Sequence, residues 1–577
     1  MCGSAGRAPE IKPVMKRDPE KRLMQDVALV LTGAALCGAV FFSGCRQPES
    51  HAGPNIILIM SDDMGYSDLG CYGGEIRTPN LDRLAENGIR FTQFYNSARC
   101  CPTRASLMTG LYPHQTGIGH MTNYPGDSLA HDYGVPGYRG FLNRNSVTIG
   151  EVLQQAGYTT LMTGKWHLGY FGKEKWPLQR GFDRFYGIIP GACNYFNPVH
   201  PRGITEGNDT ITVDDEDYYT TDAFTDQAIR FIRETREQEA GDLQQGRPFF
   251  LYLAYNAPHW PLNAPAGDIE RYRGKYMDGW QEIRLARYER MKQMGLVDPR
   301  WELTPQDSRD WDSLSEEKKQ EMDLRMAIYA AMIDRMDRNI GKLVHFLEEE
   351  GILDHTLILF LNDNGACAEF AELGSGPAEQ LGTEQGYVLS YGRAWANASN
   401  TPYREYKHWV HEGGISTPLI IHWPSAIPAE FRGTLVHEYG YLPDIMATCL
   451  DAAGVTYPDA YRGHTIHPPA GKSLLPLVRG GDGPVHTEPI FFEHEGNKAV
   501  RMGKYKLVAY WNEDQEGKWE LYDMEADRTE MNDLAGIMPE KAEEMKTLYE
   551  EWAAGHMVRP WDELLRIIME KREAGQR

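Results

Sequence analysis

The chain has 577 residues, 41% of them hydrophobic and 24% charged, with a formal net charge of -23 at pH 7. This length accommodates one large α/β domain with a smaller one appended, and the composition excludes disordered and fibrous classes. The acidic balance argues against a nucleic-acid partner, which needs a basic face, but leaves room for a small anionic substrate bound by local charges.

Lys16, Arg17, Lys21 and Arg22 precede an apolar stretch, 27–42, that is too short and too rich in Gly and Ala for a membrane span. It ends in Phe42-Ser43-Gly44-Cys45, so 1–45 reads as a bacterial secretion signal. The ending resembles a lipobox that would place a lipid on Cys45, with Phe42 standing where Leu is usual. The expectation is an exported protein, periplasmic or anchored at the outer membrane, that meets the membrane only through that anchor. The cysteines beyond 1–45, Cys71, Cys100, Cys101, Cys193, Cys367 and Cys449, have no framework spacing and form no CxxC pair. Neither a disulfide scaffold nor a structural zinc site is expected.

The run 55–60, Asn-Ile-Ile-Leu-Ile-Met, is continuously apolar, as a buried parallel strand requires, and it ends directly before Asp62-Asp63. A helix follows at 78–88, with proline in its first turn and glycine at its end, then a strand at 89–94. Pro102 suits the first turn of a helix through Arg104 and Leu107, which places Cys100 at a helix N-terminus where backbone N–H groups favour an anion. Helices at 149–156, 222–238, 316–350 and 442–453 alternate with strands at 159–162, 249–254, 356–361 and 419–421. This alternation predicts a large, mostly parallel, doubly wound sheet. The segment 266–314 lacks sheet periodicity and reads as an insertion over one face. From about 489 four short strands and two helices predict a small antiparallel C-terminal subdomain. The predicted division is a catalytic domain over 54–485 and an α+β subdomain over 486–577.

Asp62 and Asp63 follow one strand, and Asp363-Asn364-Gly365 follows another, at the sheet edge where ligands bind in open α/β folds. Three carboxylates and an amide are oxygen donors that suit a hard cation, calcium more readily than magnesium. Gly164-Lys165-Trp166-His167 and Pro258-His259 follow two further strands at the same edge. Lys165 and His167 are two apart and would point the same way on extended backbone. Tyr195, Phe196 and Trp260 are candidate pocket aromatics, and His408 and His411 are read as non-catalytic.

Asp62-Asp63-x-Gly65, Cys100-x-Pro102-x-Arg104, Gly164-Lys165-x-His167, Pro258-His259, Asp363-Asn364-Gly365 and Lys407 with Glu412-Gly413-Gly414 occur in this order. Together they resemble the motifs of the type I, formylglycine-dependent sulfatases of the alkaline phosphatase superfamily, and within it the bacterial arylsulfatases. The resemblance implies an alkaline phosphatase-like fold and one calcium ion held by Asp62, Asp63, Asp363, Asn364 and the modified Cys100. It implies that a maturation enzyme converts Cys100 to formylglycine, whose hydrate attacks the sulfur of an aryl sulfate or a sulfated glycan. Arg104 and Lys165 would hold the diol and sulfate oxygens, and His259 and Lys407 would protonate or stabilise the departing alkoxide. His167 would take the proton from the remaining hydroxyl and so expel sulfate.

Two rivals share parts of this pattern. A phosphonate monoesterase or phosphodiesterase shares the maturation motif but typically resembles its own kin in carrying Asp-His where this chain has Asp363-Asn364. A non-catalytic, sulfated-glycan-binding lipoprotein would be expected to lose some motif residues, and none is missing.

Overall fold

The structure, a computed structural model, describes residues 53–122, 131–239, 247–512 and 517–575. The segment 1–45, read above as a secretion signal ending in Cys45, lies outside the described residues. Among the described residues no helix is long and apolar enough to cross a membrane.

The central strand, β1 (Asn55–Ser61), pairs in parallel with β7 (Phe249–Ala254) on one side and β8 (Thr356–Asn362) on the other. Beyond β7 lie β3 (Thr159–Lys165) and β4 (Arg184–Ile188), also parallel. All of β8 is buried, and successive β1 residues enter two different cores: Ile57 and Ile59 one, Ile56, Leu58 and Met60 the other. That two-sided burial explains why these strands read as apolar runs rather than as alternating patterns. Each fully buried Leu or Ile contributes about 1.5–3 kcal/mol.

The sheet is mixed at its margins. β9 (Ser416–His422) runs antiparallel to both β8 and β2 (Ile89–Tyr95), and β2 then pairs in parallel with β10 (Thr434–Val436) and β11 (Gly440–Tyr441). At the far side β5 (Ile204–Glu206) and β6 (Asp209–Ile211) add antiparallel pairs. A two-stranded ribbon, β12 (Ala460–Tyr461) with β13 (His464–Thr465), stands apart from this sheet.

Helices cover both faces. Pro79–Glu86, Thr220–Glu239 and Glu316–Glu349 pack into one core, and Cys100–Thr109, Ile149–Gln155 and Pro443–Ala453 into the other. Local chemistry sets their starts: the Ser315 Oγ accepts from Lys318 N at 3.3 Å, and Thr148 with Glu151 forms a reciprocal capping box. Within 266–314 the chain forms a helix, Gly279–Gln293, whose buried Arg287 pairs with Asp68 at 2.7 Å and Glu75 at 2.8 Å.

The C-terminal sheet is four antiparallel strands in sequential order: β14 (Ile490–His494), β15 (Asn497–Met502), β16 (Tyr505–Ala509) and β17 (Trp519–Asp523). Helix Pro539–Gly555 covers it through Met545, Tyr549 and Trp552, and a last helix spans Trp561–Gly575. A buried ion cluster joins this sheet to the main one. Lys506 Nζ lies 2.9 Å from Glu412 Oε1 and 2.8 Å from Glu530 Oε1, and Arg528 Nε donates to Glu412 Oε2 at 2.8 Å.

Candidate active site

Five segments bring their charged residues to the carboxyl edge of the parallel strands. Asp62 and Asp63 follow β1, Asp363 and Asn364 follow β8, Lys165 ends β3, and Lys407 arrives on the loop before β9. Cys100 begins a fully buried helix, with Arg104 one turn further on. All are shielded from solvent: Asp62, Cys100, Arg104, Lys165 and Asp363 are 0% exposed and Lys407 is 3% exposed.

The contacts interlock. Lys165 Nζ donates to Asp62 Oδ2 at 2.6 Å, and the Cys100 Sγ donates to Asp62 Oδ1 at 3.7 Å. Arg104 Nη2 donates to Asp363 Oδ2 at 2.9 Å, and its Nη1 donates to the Tyr252 hydroxyl at 3.3 Å and to the Lys165 carbonyl at 3.2 Å. Lys407 Nζ donates to Asp63 Oδ2 at 2.9 Å and lies 3.4 Å from His259 Nε2. Asp63 adopts φ 63, a left-handed conformation that costs a non-glycine residue energy and that its neighbours must hold in place. Its N–H donates to Asp363 Oδ1 at 3.1 Å. Gly365 permits the tight approach of the loops: a Cβ there would stand 1.7 Å from the Gly413 carbonyl oxygen.

Burial drives the electrostatics. It raises the Asp62 carboxyl well above the usual range, and the neighbouring Asp363 adds to the effect against Lys165 and Arg104. Burial would also raise Asp63, but His259 and Lys407 outweigh it and hold this carboxyl at about 2. Burial pushes the Cys100 thiol well above its ordinary value, so an unmodified thiol here is a poor nucleophile.

The donor set fits a hard cation. Oxygens of Asp62 and Asp63, the Cys100 sulfur and a His259 nitrogen lie within 4.8 Å of one another. Asn364 Nδ2 donates to Asp63 Oδ1 at 2.7 Å, while its buried Oδ1 has no hydrogen-bond donor. A buried, orphaned amide oxygen beside three carboxylates is what a bound cation would satisfy.

The two histidines differ in their tautomers. His167 Nε2 faces the Thr122 carbonyl at 3.1 Å and the Thr122 hydroxyl at 3.0 Å, so it carries the proton and leaves the buried Nδ1 without a partner. Burial and then Lys165 lower its pKa well below 6.5. His259 Nδ1 donates to the Trp260 carbonyl at 2.7 Å, which turns the Nε2 lone pair toward Lys407. Burial lowers its pKa to about 3.

Two sequence expectations need correction. His167 adopts φ 56, so Lys165 and His167 do not share one extended run, although the lysine charge still reaches the ring. Tyr195 is 0% exposed, and its hydroxyl donates to the carbonyls of Asn256 and His259, so it packs behind the site rather than lining a pocket. Glu369, Thr122 and Tyr252 were not anticipated from the sequence. Glu369 accepts from Arg99 Nη2 at 2.6 Å and Trp260 Nε1 at 3.0 Å, with Lys407 Nζ 3.7 Å away. His408 and His411 stay outside this cluster, His411 stacking on Tyr510.

Fold and site together define an α/β enzyme that works at the carboxyl edge of a mixed, mostly parallel sheet. Residues 54–455 match the family model described as Sulfatase, and residues 404–555 match the one described as N-sulphoglucosamine sulphohydrolase, C-terminal. The chain is 35% identical over 464 residues to an arylsulfatase of Klebsiella aerogenes, covering 76% of this chain and 95% of the relative. It is 34% identical over 530 residues to an uncharacterised sulfatase of Schizosaccharomyces pombe, covering 87% and 93%. The crystal structure of Ps i-CgsB matches with a TM-score of 0.63 and 26% identity, over 87% of this chain and 93% of that one. The chain belongs to the sulfatase family and is a sulfuric ester hydrolase.

Proposed function

We propose that the enzyme hydrolyses sulfate esters through a formylglycine formed from Cys100, with calcium as its metal. The observation that carries this reading is the placement of Cys100 at a helix N-terminus, with its sulfur 3.7 Å from Asp62 Oδ1 and the Lys165 ammonium on the same carboxylate. Once hydrated, a formylglycine would supply one hydroxyl to attack sulfur and release the alcohol, and a second whose loss of a proton would expel sulfate and restore the aldehyde. Asp62, Asp63, Asp363 and Asn364 would hold the calcium ion, which would offset charge on a bound sulfate.

The chain's own residues divide the remaining work. Lys165 and Arg104 present fixed cations at the nucleophile. His167, neutral and with a free Nδ1, is built to accept a proton. On the leaving-group side the resting proton sits on Lys407: burial opposes its charge, but Asp63 more than compensates and raises its pKa well above 10.5. That ammonium can donate directly to the departing oxygen, while the neutral His259 Nε2, 3.4 Å away, accepts from it and orients it.

The Klebsiella relative is an arylsulfatase, and Ps i-CgsB has been solved with a neocarrahexaose, so aryl sulfates and sulfated glycans both lie within the class proposed here. The segment 1–45, read as a secretion signal ending in Cys45, supports an exported, lipid-anchored enzyme. Two measurements test the reading together. Co-expression with a maturation enzyme should give a Cys100 peptide of formylglycine mass and turnover of p-nitrophenyl sulfate in preference to a phenyl phosphonate ester. An unmodified thiol in an active preparation, or preference for the phosphonate, would sink it.

A further inference from the structure

The Lys407 ammonium sits between two anions, and only one of them belongs to the donor set that fits a cation. Asp63 Oδ2 accepts from Lys407 Nζ at 2.9 Å, whereas Glu369 Oε2 lies 3.7 Å from it and outside that set. An ammonium carries three N–H donors. Asp63 takes one, and His259 Nε2, at 3.4 Å, takes a second. At 3.7 Å Glu369 is too distant to take the third by hydrogen bond, yet near enough to act on the charge.

Glu369 is itself held firmly. Its Oε1 accepts from Arg99 Nη2 at 2.6 Å, and its Oε2 accepts from Trp260 Nε1 at 3.0 Å and from the Cys367 thiol at 3.4 Å. Two of these donors adjoin residues of the reaction: Arg99 precedes Cys100, and Trp260 follows His259. The carboxylate is ionised: burial opposes its charge, but Lys407 and then Arg99 hold its pKa well below 4.5. The backbone beyond it is strained, since Phe370 and Ala371 adopt φ 72 and φ 123, a region that non-glycine residues avoid.

We propose that Glu369 is a positioning residue for the leaving group: it steadies the Lys407 ammonium by charge alone and so keeps the third N–H available to the departing oxygen. This rests on the assignment of Lys407 to the leaving group. As the bond from sulfur to the ester oxygen breaks, that oxygen keeps the electron pair and takes the Lys407 proton, which the lysine later regains from water. With Glu369 neutralised, the pull of Asp63 is unopposed and the ammonium turns toward the carboxylate cluster. A poorer leaving group depends more on that proton, which gives the role a signature that a merely structural residue lacks.

The test uses the mature, full-length enzyme and two aryl esters, p-nitrophenyl sulfate with a good leaving group and phenyl sulfate with a poor one. Glu369→Gln should lower kcat/KM about ten- to thirtyfold on phenyl sulfate and no more than about threefold on p-nitrophenyl sulfate. Glu369→Asp, which keeps the charge, should stay within about fivefold of wild type on phenyl sulfate. Lys407→Ala should show the same dependence more steeply, and adding Glu369→Gln to it should cost less than about twofold more. Should Glu369→Gln fold poorly, Trp260→Phe, which removes the indole donor from Glu369 Oε2, should show a milder form of the same dependence. Equal losses on both esters with Glu369→Gln or Trp260→Phe, or losses that multiply in the double variant, would overturn the role. Equal losses with Lys407→Ala would overturn it together with the lysine's assignment. Failure of the sulfatase reading would show separately, as no turnover of either ester by wild type, and would remove the role with it.

Discussion

Two of the ion clusters buried among the described residues are built on opposite terms. Between the two sheets, Glu412 and Glu530 face Lys506 and Arg528, all within 2.8–2.9 Å of a partner, and Glu412 is held below its ordinary carboxyl pKa: burial raises it, but Lys506 and Arg528 prevail. At the strand ends, Asp62 stays well above its ordinary value despite Lys165 and Arg104, and Asn364 keeps an amide oxygen with no donor. The named charges balance in both clusters, but in the second burial still opposes ionisation of Asp62 and one amide oxygen lacks a donor. The first is a joint and the second a site, and the difference can be probed residue by residue.

Replacing Cys100 should give the largest effect. Cys100→Ala should lower kcat/KM on p-nitrophenyl sulfate by at least about ten-thousandfold while leaving the thermal midpoint near wild type. A large loss of stability would mean that the strand-end cluster is also a joint. Next, stripping metal with a chelator should cost on the order of a hundredfold or more in turnover, and calcium should restore it better than magnesium. Restoration by neither would contradict the reading of the Asn364 oxygen as a cation ligand.

His167→Gln comes third. It should reduce kcat by about a hundredfold with KM little changed, since it touches proton transfer and not binding. Because the His167 pKa lies well below 6.5, wild-type activity should show no acid limb from this imidazole near pH 6.5.

Glu412→Gln should change turnover least, within a fewfold, yet cost about 3–5 kcal/mol in urea unfolding, because it strands buried cations. Its pH signature has a definite sign. A carboxyl depressed on folding stabilises the protein above its unfolded value of 4.5, and that contribution is lost as pH falls through the lower folded value. Wild type should therefore lose stability below about pH 4.5 more steeply than the variant.

The strands that carry the site were readable because they are long, apolar on both faces and end in acidic or Lys/His pairs. β1, β7 and β8 announce themselves in this way. The direction of β9 was not readable: a strand buried on both faces looks the same in either sense, and only its connection decides. β4, with Arg184 and Gly187 inside it, and the short β10 and β11 fall below any periodic signal. In the site, Asp62, Asp63, Cys100, Arg104, Lys165, Asp363 and Lys407 come together in one cluster. Glu369, Thr122 and Tyr252 escaped because their roles come from neighbours such as Trp260, His167 and Arg104, which are distant in the chain.

The complete burial of Cys100 fixes an order of events. No macromolecule can reach a side chain that is 0% exposed, so any enzyme that alters this sulfur must act before the helix Cys100–Thr109 is enclosed. Glu412, five residues after Lys407, finds its cationic partners among the described residues at Lys506 and Arg528, about a hundred residues further along the chain. Under the proposed maturation, synthesis delivers Cys100 early and the bolts of its enclosure late.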